Sequence, residues 1–411
     1  MMGLGMNADN HITRSAEREP TAIPFFSTTR GSIFGVYSTA VGPKFISPVG
    51  YAVTYLVLVA ISYGTPAMTA VLMHKVLFLP CPPTKVPYFL DVNAATMALI
   101  SIPMLWISAM REDRILARTL ARLFGDNALT VPSNGLQSLA DRFTSRVRHF
   151  NRWAQVAGLI VGIACASIWY TVVPAEKGVV WQTLEPTRLG LNCAGWMFVV
   201  LQIVPFFFLL TQFAARECLV AFLLRRLTEE ATINVRPLHP DHAGGLAPVA
   251  SLGLHYQLIV AVIGIHVGTL LICLRLVDEP LSAVIRLPIL AAYVVLAPIA
   301  FAVPLWPFRH AMMKAKTSSL SKLSSAFDLA FNNTLSQIPD GDRLEANTER
   351  LLQIRRLYDI VAKLPVWPFD TSSLRKFAGV FLTPLPPVAF SWLWVKFSWL
   401  WVKLWELCRG P

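Results

Sequence analysis

The residues best suited to chemistry lie in the segment 238–246, which reads LHPDHAGGL. His239, Asp241 and His242 carry the nitrogen and oxygen donors that bind zinc in many proteins. Donors this close together do not match a common zinc spacing, however, and further ligands would have to come from elsewhere in the chain. The other interpretation is structural: Asp241 caps the following helix, and the two glycines permit a tight turn. The segment is therefore a weak candidate for a metal site and a stronger candidate for a turn that caps a helix.

A second candidate is a group of polar residues within an apolar stretch, formed by His255, Gln257 and His266. The histidines are separated by about three turns of helix, which places them on one face. A titratable group at membrane depth is a functional candidate, and histidine changes charge near neutral pH. The alternative is a neutral imidazole that is hydrogen-bonded to a neighbouring helix. This face is expected either to line a polar pathway or to pack against a neighbouring helix.

These residues belong to a chain with six long stretches free of Asp, Glu, Lys and Arg: 45–73, 92–110, 153–175, 189–215, 243–274 and 287–308. An apolar helix of about 18 residues or more crosses roughly 30 Å of hydrocarbon. Of the residues, 55% are apolar and 15% are charged, whereas soluble proteins carry roughly 25% charged residues. The sequence predicts an all-α, polytopic membrane helix bundle with six transmembrane helices.

The segments around the spans are expected to form three further units. Residues 1–44 are predicted to be a cytoplasmic N-terminal tail, 309–375 a cytoplasmic helical hairpin, and 376–411 a Trp-rich interfacial helix. Within the transmembrane domain, 45–308, basic cytoplasmic loops at 111–152 and 216–242 prolong the membrane helices. The hairpin is expected to pack within one chain or against a neighbouring subunit.

Positive charge concentrates beside the spans. In the second basic loop, Arg216, Arg225 and Arg226 border an apolar face, which predicts a helical shelf at the inner surface. These arginines either snorkel at ordinary helix ends or form a surface for anionic lipids or another ligand. The net charge of +12 therefore indicates membrane orientation and no nucleic-acid partner. By the positive-inside rule, the basic loops and both termini lie in the cytoplasm.

The C-terminal tail contains a tandem repeat, FSWLWVK at 390–396 and again at 397–403. Tryptophan prefers the headgroup boundary, where its ring is in apolar surroundings and its N–H stays wet. An in-plane helix is therefore predicted, with a seventh crossing as the alternative. Its anchors are Trp392, Trp394, Trp399 and Trp401.

Two glycine pairs at four-residue spacing predict close helix packing: Gly158 with Gly162, and Gly264 with Gly268. The six cysteines are scattered and form no CxxC pair, so the sequence supports neither a disulfide framework nor a zinc ribbon. No cofactor is expected.

A second local signature reads WPFD at 367–370, where Asp370 is placed to cap a helix that begins near residue 371. Together with the first signature, it resembles an uncharacterised group of bacterial polytopic membrane proteins with an HPDxAGGL loop and a C-terminal WPFD segment, over roughly residues 90–385. His242 occupies the variable position of that pattern. The resemblance implies a bacterial inner membrane and no settled activity. The matching residues are His239, Pro240, Asp241, Gly244 and Gly245.

Three functions remain open. A channel or transporter whose pathway passes His266 ranks first, and a membrane-anchored scaffold or sensor that binds a cytoplasmic partner ranks second. A membrane enzyme that uses the loop at 239–242 ranks last, because the sequence shows no paired carboxylates, catalytic triad or phosphate-binding glycine loop. None of the six spans contains Asp, Glu, Lys or Arg, and span five carries two histidines that titrate near neutral pH. This composition argues against a carboxylate-driven proton pump.

Overall fold

The computed structural model describes residues 26–34, 36, 47–74, 88, 91–172, 183–185, 188–236, 239, 241, 243–276, 280–336, 341–364, 366–368, 375, 377–379 and 382. Six helices in these ranges are long and apolar enough to cross a membrane. The predicted all-α bundle with six spans is therefore confirmed, and the chain is an integral membrane protein. The spans are Pro48–Leu72, Val92–Gly125, Gly135–Tyr170, Cys193–Glu230, Ala247–Leu271 and Pro288–Leu335.

Seven helices are named here in chain order. Helix α1 joins Pro48–Val59, Ala60–Gly64, Thr65–Thr69 and Ala70–His74; α2 joins Val92–Thr96, Met97–Ser101 and Ile102–Gly125; α3 is Ser133–Val172; α4 joins Cys193–Phe198, Val199–Ile203 and Val204–Glu230; α5 is Ala247–Leu276; α6 is Pro280–Ser336; and α7 is Gly341–Ala362.

Two small antiparallel ladders pair β1 (Leu129–Thr130) with β4 (Thr232–Ile233), and β2 (Thr183–Glu185) with β3 (Arg188–Leu191). The first ladder ties the end of α2 to the end of α4. We call this side of the bundle the basic end, since α2 and α4 carry exposed arginines there.

Three membrane helices contain a π-helical turn that ends two residues before a proline. Proline has no N–H, so the carbonyl four residues earlier loses its usual helical partner. The turns are Ala60–Gly64 before Pro66, Met97–Ser101 before Pro103, and Val199–Ile203 before Pro205.

Side chains from neighbouring helices satisfy two of the carbonyls that these prolines release. Gln202 Nε2 on α4 donates to the carbonyl of Ser62 on α1 at 2.8 Å, and Tyr55 Oη on α1 donates to the carbonyl of Leu99 on α2 at 2.8 Å. Such replacement is required in hydrocarbon, where water does not supply the missing bond. The carbonyls that these prolines release therefore connect α1 to α4 and α2 to α1 through side-chain hydrogen bonds.

Helices α3 and α4 pack closely along the first glycine pair. A Cβ on Gly158 would lie 3.1 Å from Phe208 Cδ2, and a Cβ on Gly162 would lie 2.9 Å from the carbonyl oxygen of Val204. Gly264 and Gly268 are both buried on α5. At the first pair, the absent side chains allow the backbones of α3 and α4 to approach each other, while close packing at the second pair stays a prediction.

Beyond the sixth span, α6 continues without a break to Ser336, and α7 folds back against it. Lys316 Nζ on α6 donates to the carbonyls of Ala362 and Leu364 at 2.7 and 2.8 Å, which fixes the end of α7. The tryptophans of the tandem repeat and Asp370 lie outside the described residues, as does His242.

Part of the predicted N-terminal tail is inside the bundle. We call residues 26–34 the inserted segment. Phe26 and Phe34 are fully buried, with rings 5.9 Å from Phe143 on α3 and 5.0 Å from Trp106 on α2, respectively. The segment therefore belongs to the hydrophobic core at the basic end.

Candidate functional site

A buried ion pair joins α2 to α4. Glu112 Oε2 lies 3.2 Å from Arg216 Nη1, and the two side chains are 2% and 1% exposed. Tyr256 Oη on α5 donates to the other carboxylate oxygen at 2.9 Å, and Arg216 Nε donates to the carbonyl of Gln212 at 3.1 Å. The pair is thus held by three membrane helices. Removing two charges from water costs several kcal/mol per ion, which attraction offsets only in good geometry.

The position of Arg216 corrects one sequence prediction. Arg225 and Arg226 are exposed and pair with Glu229 on their own helix, as expected of a shelf. Arg216 does not belong to that shelf, because it points into the bundle and lies beneath Phe34, whose ring centroid is 4.8 Å from its guanidinium carbon. Hydropathy ends spans two and four just before Glu112 and Arg216, so both charges fall in the basic segments that prolong these helices and not in the spans.

One signal in the sequence would have indicated the pair. Spans two and four run in the same direction, so residues at similar distances beyond their starts lie at a similar depth. Glu112 and Arg216 occupy such positions and carry opposite charges. Helices that are neighbours in a bundle bury such charges together more readily than alone.

The inserted segment is fastened directly beside this pair. Asp113 accepts hydrogen bonds from the hydroxyls of Ser27, Thr28 and Thr29 and from the backbone N–H of Thr28, at 2.6–2.8 Å. From α3, Asn151 Nδ2 donates to the carbonyl of Thr28 at 2.8 Å. A polar stretch of chain is therefore buried with its hydrogen bonds satisfied by α2 and α3.

The turn of the inserted segment requires glycine. Gly31 has a φ of +78°, and a Cβ there would lie 3.0 Å from Arg148 Cγ. Its carbonyl accepts a hydrogen bond from Gln155 Nε2 at 3.0 Å. Because L-residues with side chains rarely adopt this φ, the segment follows α3 closely only with glycine at this position. The segment lies beside the ion pair, and Phe34 covers the guanidinium of Arg216.

Unsatisfied polar atoms surround the pair. Among the described residues, Arg216 Nη1, Glu217 Oε1 and both amide atoms of Gln212 are buried without a well-oriented hydrogen bond, although Nη1 lies within ion-pair distance of Glu112. Buried polar groups nearly always have partners, so exceptions mark bound water, a bound ion or a functional site. The interior near Arg216 is therefore more polar than its own contacts account for.

The structure places His255 next to this site. Its Nε2 is 3.2 Å from Ser108 Oγ, and Ser108 lies one helical turn from Glu112 on α2. His255 also precedes Tyr256, the residue that donates to Glu112. One predicted polar residue therefore belongs to the surroundings of the ion pair.

Gln257 and His266 contact other helices. Gln257 Nε2 donates to the carbonyl of Ala297 on α6 at 3.1 Å. His266 is buried against the ring of Phe206 on α4, with centroids 4.5 Å apart, and its Nδ1 has no partner within the described ranges. The three predicted polar residues of α5 thus face α2, α6 and α4 separately, and they do not line one surface together.

The HPDHAGGL loop forms a turn around Asp241. Asp241 Oδ1 accepts from the N–H groups of Ala243 and Gly245 at 2.9 and 3.0 Å, and Oδ2 accepts from Ala247, the first residue of α5, at 3.1 Å. His239 Nδ1 lies 2.7 Å from Oδ1. Partial burial opposes ionisation, but these donors outweigh it and lower the pKa of Asp241 below its usual value.

Gly244 and Gly245 have φ values of +69° and +92°, which favour glycine at both positions. Within the residues that the structure describes, no cluster of three His, Cys, Asp or Glu side chains is arranged to hold a metal ion. The geometry of the described part of this loop is that of a helix cap.

Comparison with known protein families, curated proteins and solved structures finds no match to this chain. The similarity of the HPDxAGGL and WPFD segments to an uncharacterised bacterial group therefore stays a prediction.

Proposed function

We propose that this integral membrane protein is a channel or transporter whose pathway starts at the Glu112–Arg216 pair, and that the inserted segment closes it. The observation that carries the proposal is the burial of both charges inside three membrane helices. Charged residues within membrane bundles are rare and typically mark ion or substrate pathways. A buried ion pair is also a poor source of stability, since apolar residues of similar volume often serve as well.

The polar groups near the pair support a direction for the pathway. Ser108 and Gln212 each lie one turn before a member of the pair, towards the far side of the bundle. Helix α5 runs the opposite way, so His266 lies about 15 Å beyond Tyr256 in the same direction. These residues place polar atoms on α2, α4 and α5 at successive depths. Opening requires the inserted segment to leave and the contact between His266 and Phe206 to separate.

Substitution of Asp113 by alanine is expected to raise flux through the protein. It removes the acceptor of four hydrogen bonds to the inserted segment. Hydrogen bonds to a charged group contribute about 1.5–3 kcal/mol each, so losing even one shifts the closed–open equilibrium roughly tenfold or more. Potassium, chloride and proton flux into sealed liposomes that contain the purified protein measures the effect.

Asp141→Ala is the matched control for this experiment, since Asp141 is an exposed carboxylate at the same end of the bundle. Its flux should equal that of the unsubstituted protein. His266→Ala in the Asp113→Ala background should change the flux if the pathway passes α5. Absence of flux for all three ions in every variant would contradict the proposal.

A membrane-anchored scaffold or sensor is the second candidate. Helix α7 leaves several large apolar side chains exposed on the α6–α7 hairpin, and such surfaces often bind a protein partner or a second copy of the chain. The absence of flux described above would favour this function. These side chains are Leu352, Leu357, Tyr358 and Ile360. A membrane enzyme has the least support, because the carboxylate of Asp241 is occupied by backbone donors.

We also propose that the protein lies in a bacterial inner membrane with its basic end and both termini in the cytoplasm. A cysteine introduced at exposed Asp126, beside the end of α2, should resist a membrane-impermeant maleimide in intact spheroplasts and react after permeabilisation. A cysteine at exposed Val92, at the other end of α2, should react in both. The parent protein reports the background of native cysteines. The reverse pattern would overturn the orientation.

A further inference from the structure

An open pocket with an empty volume of about 430 Å³ lies between α3 and α4 at the basic end, apart from the buried ion pair. Arg142 and Arg146 of α3 line it together with Phe222, Arg226 and Glu230 of α4. Three arginines and Glu230 line the pocket, and Arg226 is also paired with Glu229 beside it, so among the described residues one positive charge, that of Arg146, is left without a carboxylate. The pocket therefore favours an anion.

Contacts within the pocket leave one guanidinium available. Arg142 Nη2 lies 3.1 and 3.2 Å from the two carboxylate oxygens of Glu230. Arg146 and Arg226 contact the ring of Phe222, with guanidinium carbons 5.7 and 5.4 Å from its centroid. In the part of the chain that the structure describes, Arg146 has no carboxylate partner. The aromatic ring thus holds two guanidiniums beside the pocket, as arginine stacking allows.

We infer that this pocket binds a phosphate monoester or diester. Guanidinium groups bind phosphate through paired N–H donors that match the spacing of its oxygens, and such charge-assisted bonds are strong. The pocket provides Arg146 directly, while Arg142 and Arg226 line its sides. The negative charge of one phosphate offsets the excess positive charge of the lining.

Below the pocket, the surface of α3 favours a lipid as the source of that phosphate. Arg142, Arg146, Phe150 and Trp153 recur at spacings of four, four and three residues, which places them on one helix face. Phe150 is 40% and Trp153 is 63% exposed. Tryptophan marks the headgroup boundary, so an acyl chain would continue from the pocket along an apolar, membrane-facing lane.

Lipid binding to the delipidated full-length protein tests the inference, with phosphatidylglycerol and phosphatidylcholine titrated separately and bound lipid counted by native mass spectrometry. Saturable binding of phosphatidylglycerol at one site is expected, with weaker binding of the zwitterionic lipid. Arg146→Gln should lower the phosphatidylglycerol affinity about tenfold or more, because charged hydrogen bonds are lost. Arg118→Gln is the matched control, since Arg118 is also exposed but does not line the pocket.

A second arm titrates glycerol 3-phosphate by calorimetry, to separate a soluble phosphate from a lipid headgroup. Binding in either arm that Arg146→Gln weakens and Arg118→Gln leaves intact supports the phosphate site, and the arm identifies the source. Arg226→Gln provides a second variant if Arg146→Gln does not fold. Equal losses in the pocket and control variants would overturn the inference, as would no binding in either arm.

Discussion

Replacement of Glu112 by glutamine is expected to destabilise the protein by about 3–5 kcal/mol, since it leaves Arg216 buried without a counter-charge. The pair is almost fully excluded from solvent, so water does not take over the role of the lost carboxylate. Tyr256 would also lose an ionised acceptor. Denaturant unfolding of the purified protein in micelles measures the change.

Two comparisons distinguish this effect from general damage. Glu229→Gln removes an exposed carboxylate from a surface ion pair and should leave the unfolding midpoint unchanged. Glu112→Leu combined with Arg216→Met removes both charges and should recover much of the lost stability. If the double variant is as unstable as Glu112→Gln, then the buried charge is not the cause.

Replacement of Gly162 by alanine is expected to destabilise the contact between α3 and α4 by about 1–3 kcal/mol, the usual range for overpacking. The added Cβ would lie 2.9 Å from the carbonyl oxygen of Val204, and a helix backbone does not yield as a flexible side chain does. The same unfolding measurement detects the loss.

Gly64→Ala is the control for Gly162→Ala. A Cβ on Gly64 meets no described atom within 4 Å, and alanine favours helix more than glycine by about 1 kcal/mol. This variant should be as stable as the parent protein or slightly more so. Unchanged stability of the Gly162→Ala protein would contradict the prediction, because α3 and α4 would then have moved apart at little cost in free energy.

The sequence allowed the spans to be predicted because each depends on its own residues. A long apolar run must be a helix in hydrocarbon, whatever packs against it. The turn at Asp241 was also visible locally, since a side chain that caps a helix lies a few residues from the N–H groups it accepts. Features of this kind need no knowledge of which helices are neighbours.

The Glu112–Arg216 pair depends on such knowledge, and hydropathy considers one helix at a time. The inserted segment cannot be recognised from hydropathy for a related reason. Its serines and threonines give it the composition of a solvated tail, and their burial depends on Asp113, some 85 residues further along the chain. Polarity in a sequence indicates burial only when the partner is known.

The prolines offered a signal that hydropathy does not use. Pro66 and Pro103 lie inside apolar runs, and each must release a carbonyl to a neighbour. Interpreted as sites of contact, they predict that α1 and α2 each accept a hydrogen bond from a neighbouring helix. The identity of the donors, Tyr55 and Gln202, still required the structure.

The hydrogen bonds to these two carbonyls hold the helices against sliding or turning. If α4 turned about its axis, the bond from Gln202 to Ser62 would break, while the backbone bonds within each helix would remain intact. In hydrocarbon, water does not replace the broken bond, so the released carbonyl would be left without a partner at a cost of roughly several kcal/mol. Tyr55 and Gln202 therefore fix the relative positions of the helices on which they lie and of those to which they donate.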